Sequence, residues 1–97
     1  MENEDKSGYF VYLLRCGDGS LYCGSTNDLG ARVAAHNAGK GAKYTRSRLP
    51  VTLAYFERAT DKSAALKREY VVKRFPRAKK LQLCAAFAAP CCSAREL

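Results

Sequence analysis

What the chain lacks narrows its class. No apolar run approaches the roughly 20 residues of a membrane-spanning helix. The N-terminus, Met1-Glu2-Asn3-Glu4-Asp5-Lys6, has none of the basic-then-apolar order of a secretory signal. Both absences predict a soluble, unprocessed, cytoplasmic protein. There is one histidine, and the five cysteines, Cys16, Cys23, Cys84, Cys91 and Cys92, follow neither disulfide nor zinc spacing. They read as reduced thiols, in keeping with an intracellular setting. Internal repeats and low-complexity linkers are missing too. The 97 residues suffice for one core but not for a separate regulatory module.

Acidic residues are the other shortage: nine Asp and Glu against seventeen Lys and Arg, a formal net charge of +8. The imbalance is local. Between Lys40 and Lys80, thirteen Lys or Arg face only Glu57, Asp61 and Glu69, so that segment alone carries +10. Such a concentration is the footprint of a polyanion binder, nucleic acid first, with a plain solvated basic surface as the alternative. A membrane surface fits less well, because no basic amphipathic helix carries bulky apolar residues on a free face.

The stretch that organises the chain is Tyr9 to Ser25, two strands joined through Gly17-Asp18-Gly19. Side chains alternate between sheet faces, so the loop length decides whether Tyr12 and Tyr22 can cooperate. A three-residue loop with Gly19 in the left-handed region sets Cys16 opposite Ser20, Leu14 opposite Tyr22 and Tyr12 opposite Gly24. Both phenols then share a face with a glycine between them. A two-residue Asp18-Gly19 turn would separate them, and the three-residue register is the favoured one.

Further along, residues 1–7 are expected to be disordered. Asp28 to Ala38 reads as a helix capped by Thr26 or Asn27, with Gly39 past its end. Leu29 and Val33 form its inward stripe, and Arg32 and His36 share another, exposed face. Lys40, Lys43, Tyr44, Arg46 and Arg48 lie in a glycine-rich, cationic loop suited to phosphate contact, with Tyr44 stacking on a base or packing on the sheet. Val51 to Glu57 reads as a third strand whose blurred alternation implies cover on both faces. A second helix, capped by Thr60, runs from Asp61 to about Phe75, with Lys73 and Arg74 on its outer flanks. Glu69 falls within its apolar stripe, beside Ala65, Leu66 and Val72. An inward carboxylate needs a cation, a hydrogen-bond partner or a metal, and a structural Glu–Arg pair with Arg32 or Arg15 is the plainest solution. Arg77 to Ala89 reads as a third helix closing the core, followed by a tail from Pro90.

Taken together, Tyr12, Tyr22, Gly24, Arg32, His36 and Glu69 resemble the GIY-YIG nuclease superfamily, in particular its small members that consist of the nuclease module alone. Phe10-Val11-Tyr12 stands where that family has Gly-Ile-Tyr, and Tyr22-Cys23-Gly24 where it has Tyr-Ile-Gly. The resemblance covers residues 8–82, leaving 83–97 as the end of the last helix and the tail. It implies an α/β (α+β) module, a three-stranded antiparallel sheet flanked by three helices, that hydrolyses DNA phosphodiester bonds as a Mg²⁺-dependent endonuclease. It further implies Glu69 as metal ligand, Arg32 as phosphate clamp, one tyrosine as base and His36 as proton relay. Gly24 would be the structural glycine between the phenols. DNA is the implied partner, with RNA left open and no small-molecule cofactor. Structure-selective or weakly sequence-specific action, in DNA repair or recombination, would follow from backbone contacts alone. Three departures are plain: Phe10 replaces the first motif glycine, Cys23 replaces the isoleucine of the second motif, and no asparagine follows Asn37, where many members carry a late one near the site. A non-catalytic nucleic-acid-binding module on the same fold is the alternative.

Overall fold

The structure, a computed structural model, describes residues 8–96, with side chains as far as Phe87. The expected disorder of 1–7 lies outside the described residues. β1 (Tyr9–Arg15) and β2 (Leu21–Thr26) pair in the register of the three-residue loop, Tyr12 against Gly24 and Leu14 against Tyr22. The Cys16 N–H donates to the Ser20 carbonyl at 2.8 Å, and Gly19 takes φ +86°, a conformation glycine adopts without steric cost. β3 (Thr52–Ala59) pairs antiparallel with the other side of β1, giving the order β2-β1-β3. Tyr12 therefore lies on the central strand.

The blurred alternation of the third strand has a local cause. Opposite Leu13 and Leu14 the register jumps from Tyr55 to Leu53, so Ala54 is an extra residue in a bulge. Ala54 and Tyr55 consequently pack on one face of the sheet and Leu53 and Phe56 on the other. The two faces carry separate cores. Val11, Leu13, Cys23, Ala65, Val72 and Cys84 fill one, whereas Tyr12, Leu14, Cys16 and Val51 fill the other. Cys16 and Cys23 thus belong to opposite faces, and both are free thiols, as is Cys84.

α1 (Leu29–Asn37) covers the Tyr12 face through Leu29 and Val33. Its cap is Asp28, whose carboxylate accepts the Ala31 N–H at 3.1 Å. Thr26, an expected cap, instead accepts the Asp28 N–H at 3.1 Å in the turn before the helix. Asp61, not Thr60, likewise caps α3 (Lys62–Lys73), accepting the Ala64 N–H at 2.8 Å. Such a cap stabilises by about 1 kcal/mol, and a carboxylate adds favourable charge at the helix N-terminus. At the other end of α1, Gly39 (φ +80°) and Lys40 donate to the carbonyls of His36 and Ala35, closing the helix in a Schellman turn.

The cationic loop holds a short helix that the sequence does not signal, α2 (Lys43–Arg46). α3 covers the opposite face through Ala65 and Val72, and α4 (Arg77–Glu96) adds Leu83 and Cys84. α4 runs on through Pro90 rather than stopping at Ala89. Proline is costly there, and the good helix formers Ala85, Ala86, Ala88 and Ala89 favour its continuation. The fold is α+β, with three long helices and one short one around a three-stranded antiparallel sheet. No helix of the described residues is long and apolar enough to cross a membrane.

Candidate active site

Where β1 and β2 run side by side, the alternation of their side chains brings the two phenols to one face. The Tyr12 and Tyr22 ring centroids are 6.4 Å apart. Gly24 makes this approach possible: a Cβ there would fall 2.5 Å from the Tyr12 Oη and 3.2 Å from Cε2 of Tyr22. From α1, His36 completes the group, its ring 6.3 Å from Tyr12 and 5.3 Å from Tyr22. His36 is not exposed, as its sequence position suggests; it is fully buried, and its Nε2 meets the Tyr12 Oη at 3.3 Å. Its Nδ1 meets Thr45 Oγ1 of α2 at 2.8 Å. Gly41 lies flat against the imidazole, where any β-carbon would overlap the ring. Burial raises the pKa of the Tyr12 phenol, and the adjacent Arg32 guanidinium pulls it the other way. Arg32 and His36, four residues apart, therefore bear on the same hydroxyl.

Glu69 approaches from the other face of the same edge strand. Ser25, next to Gly24, donates its hydroxyl to Oε1 at 2.6 Å, and Lys73 Nζ lies 2.9 Å from Oε2. The cation expected at this inward carboxylate was Arg32 or Arg15. It is Lys73, because a lysine one turn further along α3 reaches the carboxylate without crossing the sheet. Burial, with the Glu69 charge adding to it, pushes the Cys23 thiol up to about 11, and the same charge adds a smaller part to the rise in the Tyr12 pKa.

Tyr44 stacks on Tyr22 at 5.9 Å and 25°, and the Arg48 guanidinium sits 4.0 Å over the Tyr44 ring. Arg48 also donates to Asp18 Oδ2 at 3.1 Å and to the Tyr44 carbonyl at 2.7 Å. These two residues of the cationic loop brace the phenol pair. Lys40, Lys43 and Arg46 are exposed around it, and Arg74, at the C-terminal cap of α3, lies over the exposed Tyr70 ring at 5.2 Å. Thr45, Ser25 and Gly41 belong to the site but carry no motif. Only Gly41, within Gly39-Lys40-Gly41, gave a signal, since a second glycine so near a helix end suggests a close backbone approach. Among the described residues no group of three or more His, Cys, Asp or Glu could hold a metal.

The pH response of the fold follows from His36. Burial, then the charge of Arg32, holds its pKa below the ordinary 6.5. The unfolded chain takes up the proton first on acidification. Stability from the neutral imidazole is thus complete above about 6.5 and is lost as pH falls toward and through the folded value. Urea unfolding is expected to give a lower midpoint at about pH 5 than at about pH 7, with a smaller difference in His36→Gln. An equal difference in both proteins would remove His36 as the source.

The hairpin thus sets two phenols astride a glycine, with an imidazole and a guanidinium from α1 on that face and a carboxylate from α3 against the same edge strand. The profile of the GIY-YIG catalytic domain matches residues 8–82, and the chain belongs to that family. A UPF0213 protein of Staphylococcus epidermidis is 56% identical over 75 residues, 77% of this chain and 92% of that one. One from Staphylococcus haemolyticus is 52% identical over the same coverage. The solution NMR structure of the UPF0213 protein BH0048 from Bacillus halodurans is similar at TM-score 0.52 and 44% identity, covering 81% of this chain and 84% of that one. That of EF2693 from E. faecalis is similar at TM-score 0.58 and 37% identity, covering 87% and 90%.

Proposed function

We propose that the chain is a divalent-metal-dependent endonuclease that hydrolyses DNA phosphodiester bonds. The observation that carries this reading is the meeting of Tyr12, Tyr22, His36, Arg32 and Glu69 at one edge of the sheet, in a chain of this family. Phosphodiester hydrolysis needs an activated water, a donor for the phosphate oxygens and compensation of the charge that builds on them. Arg32 supplies a planar fork for a non-bridging oxygen. Tyr12, kept protonated by burial, holds the attacking water and exchanges its proton with a neighbour. Tyr22, braced by Tyr44, orients the phosphate from the other side of Gly24. Exposed Lys40, Lys43, Arg46 and Arg74 attract the backbone on either flank, and Arg48 and Lys73 add charge while holding Tyr44 and Glu69.

The residues fit a hydrated Mg²⁺ held by Glu69. This ion commonly binds proteins through one or two carboxylates and keeps several waters. Glu69 already sits against a cation, the half-exposed Lys73 ammonium, which can swing into solvent. Bound there, the metal supplies charge neutralisation and a more acidic water. Weak sequence preference and selectivity for branched or nicked DNA, as in repair or recombination, fit contacts made to backbone rather than to bases. A second reading, a binding module that does not cut, is favoured by the same Lys73–Glu69 pair if it stays closed.

The test is cleavage of labelled duplex, flap and four-way junction, with Mg²⁺ and with chelator, beside binding gels. Metal-dependent cutting is expected, and its rates rank the three DNAs. Salt-sensitive binding without cutting on any of them would establish the second reading instead.

A further inference from the structure

We propose that Thr45 is a positioning residue that fixes His36 as the Nδ1–H tautomer and so makes the bare Nε2 the acceptor of the Tyr12 proton. Hydrogen counting along the buried chain carries this. Thr45 Oγ1 has two partners, His36 Nδ1 at 2.8 Å and the Ala42 carbonyl at 2.9 Å. A carbonyl only accepts, so the single hydroxyl hydrogen of Thr45 goes to Ala42, and the hydrogen between Thr45 and His36 belongs to Nδ1. A neutral ring protonated at Nδ1 has a lone pair at Nε2, where the Tyr12 hydroxyl donates at 3.3 Å. The far end is pinned as well, because the Arg32 guanidinium beside the phenol oxygen only donates. The opposite tautomer would surround the phenol hydrogen with two donors. Among the described residues, no buried side-chain polar atom lacks a partner.

The groups that face His36 are Tyr12 from β1, Tyr22 from β2, Arg32 from its own helix, and Thr45 and Gly41 from the following segment. None is a carboxylate. The orientation of the ring is thus set by Thr45, where many catalytic histidines rely on an acid.

For the reaction, which rests on the nuclease reading, the consequence is a defined proton path. As the Tyr12 oxygen takes a proton from the attacking water, its own proton passes to Nε2. The water oxygen forms the bond to phosphorus and the bond to the leaving oxygen breaks. That oxygen takes a proton from solvent, and the imidazolium returns its Nε2 proton to the Tyr12 oxygen, which releases to solvent the proton it took from the water. Nδ1 keeps its proton throughout.

The test begins with nitrogen-15 NMR of the full chain, free of DNA. His36 is the only histidine, so its ring signals need no separation. Wild type at neutral pH is expected to carry its proton on Nδ1, Thr45→Val to show a mixture or the other tautomer, and Thr45→Ser to restore the first. A proton on Nε2 in wild type, or an unchanged tautomer in folded Thr45→Val, would overturn the proposal. Cleavage is then compared: Thr45→Val should cut on the order of 10- to 100-fold more slowly at unchanged DNA affinity, with Thr45→Ser close to wild type. Equal cutting by all three would remove Thr45 from the proton path. A wild type that shows the expected tautomer yet cuts no DNA would sink the nuclease reading and leave the tautomer assignment standing.

Discussion

Glu69→Ala is expected to lower Mg²⁺-dependent cleavage by on the order of 10³-fold or more while leaving the protein folded. The first half follows from the lack of a substitute. Glu57, the nearest other glutamate in sequence, is taken by Arg68 at 2.6 Å and by the Tyr55 hydroxyl, whose pKa is pushed up to about 12. The second half follows from what the substitution strands. Lys73 is half exposed and passes its charge to water, and Ser25 keeps a partly open hydroxyl. Had Glu69 been the partner of a buried Arg32, truncation would cost about 3 kcal/mol or more through the charge left behind. The observed pairing implies a small change in Tm instead. Affinity for DNA should hold or rise, since a negative charge near the phosphates is lost. Single-turnover rates, thermal melts and binding gels on one preparation separate the outcomes. An inactive and unfolded variant would make Glu69 structural, and a fully active one would remove it from the chemistry.

Gly24→Ala should damage both the fold and the reaction. The new methyl would meet Tyr12 at 2.5 Å from Oη and 2.7 Å from Cζ, well inside van der Waals contact. Tyr12 is 1% exposed, on the central strand, so it has no solvent to retreat into. Either the hairpin opens or the phenol leaves His36. Overpacking of this kind costs about 1–3 kcal/mol. A displacement near 1 Å at the reacting group costs roughly 10²-fold in rate. Gly30→Ala is the control. It is exposed on α1, its Cβ would approach nothing closer than Asp28 Oδ1 at 3.9 Å, and stability should rise by about 0.5–1 kcal/mol. If Gly24→Ala melts and cuts like Gly30→Ala, the close packing of the phenols is not what the site depends on.

Much of this arrangement was legible because it depends on local rules. The three-residue loop sets the register, the register sets Tyr12 against Gly24, and both can be counted from Gly17-Asp18-Gly19. Glu69 stood out as a carboxylate on an apolar stripe, which the structure places against Ser25 and Lys73. What escaped depends on contacts between distant segments. Nothing near Thr45 announces a four-residue helix, and only the folded chain brings its hydroxyl to His36. The burial of His36 was missed for the same reason, since one turn of α1 looks exposed until α2 closes over it. At the two helix starts, Thr26-Asn27-Asp28 and Thr60-Asp61 each offer more than one acceptable cap, and local patterns do not choose between them.

The tip of the hairpin is fastened from outside. Gly17 donates to the Arg48 carbonyl at 2.7 Å, Asp18 accepts from Ser20 and from Arg48, and Arg77 at the start of α4 donates to the Gly19 carbonyl at 3.0 Å. A slide of one residue in this pairing would turn Tyr22 away from Tyr12. Here the ribbon is knotted at its end to the segment before β3 and to the last helix. The spacing of the phenols is therefore guarded by residues thirty and fifty-eight positions away in the chain, as those two contacts from Asp18 and Gly19 span. Alignment of the site is a property of the finished fold, inherited from the far end of the hairpin.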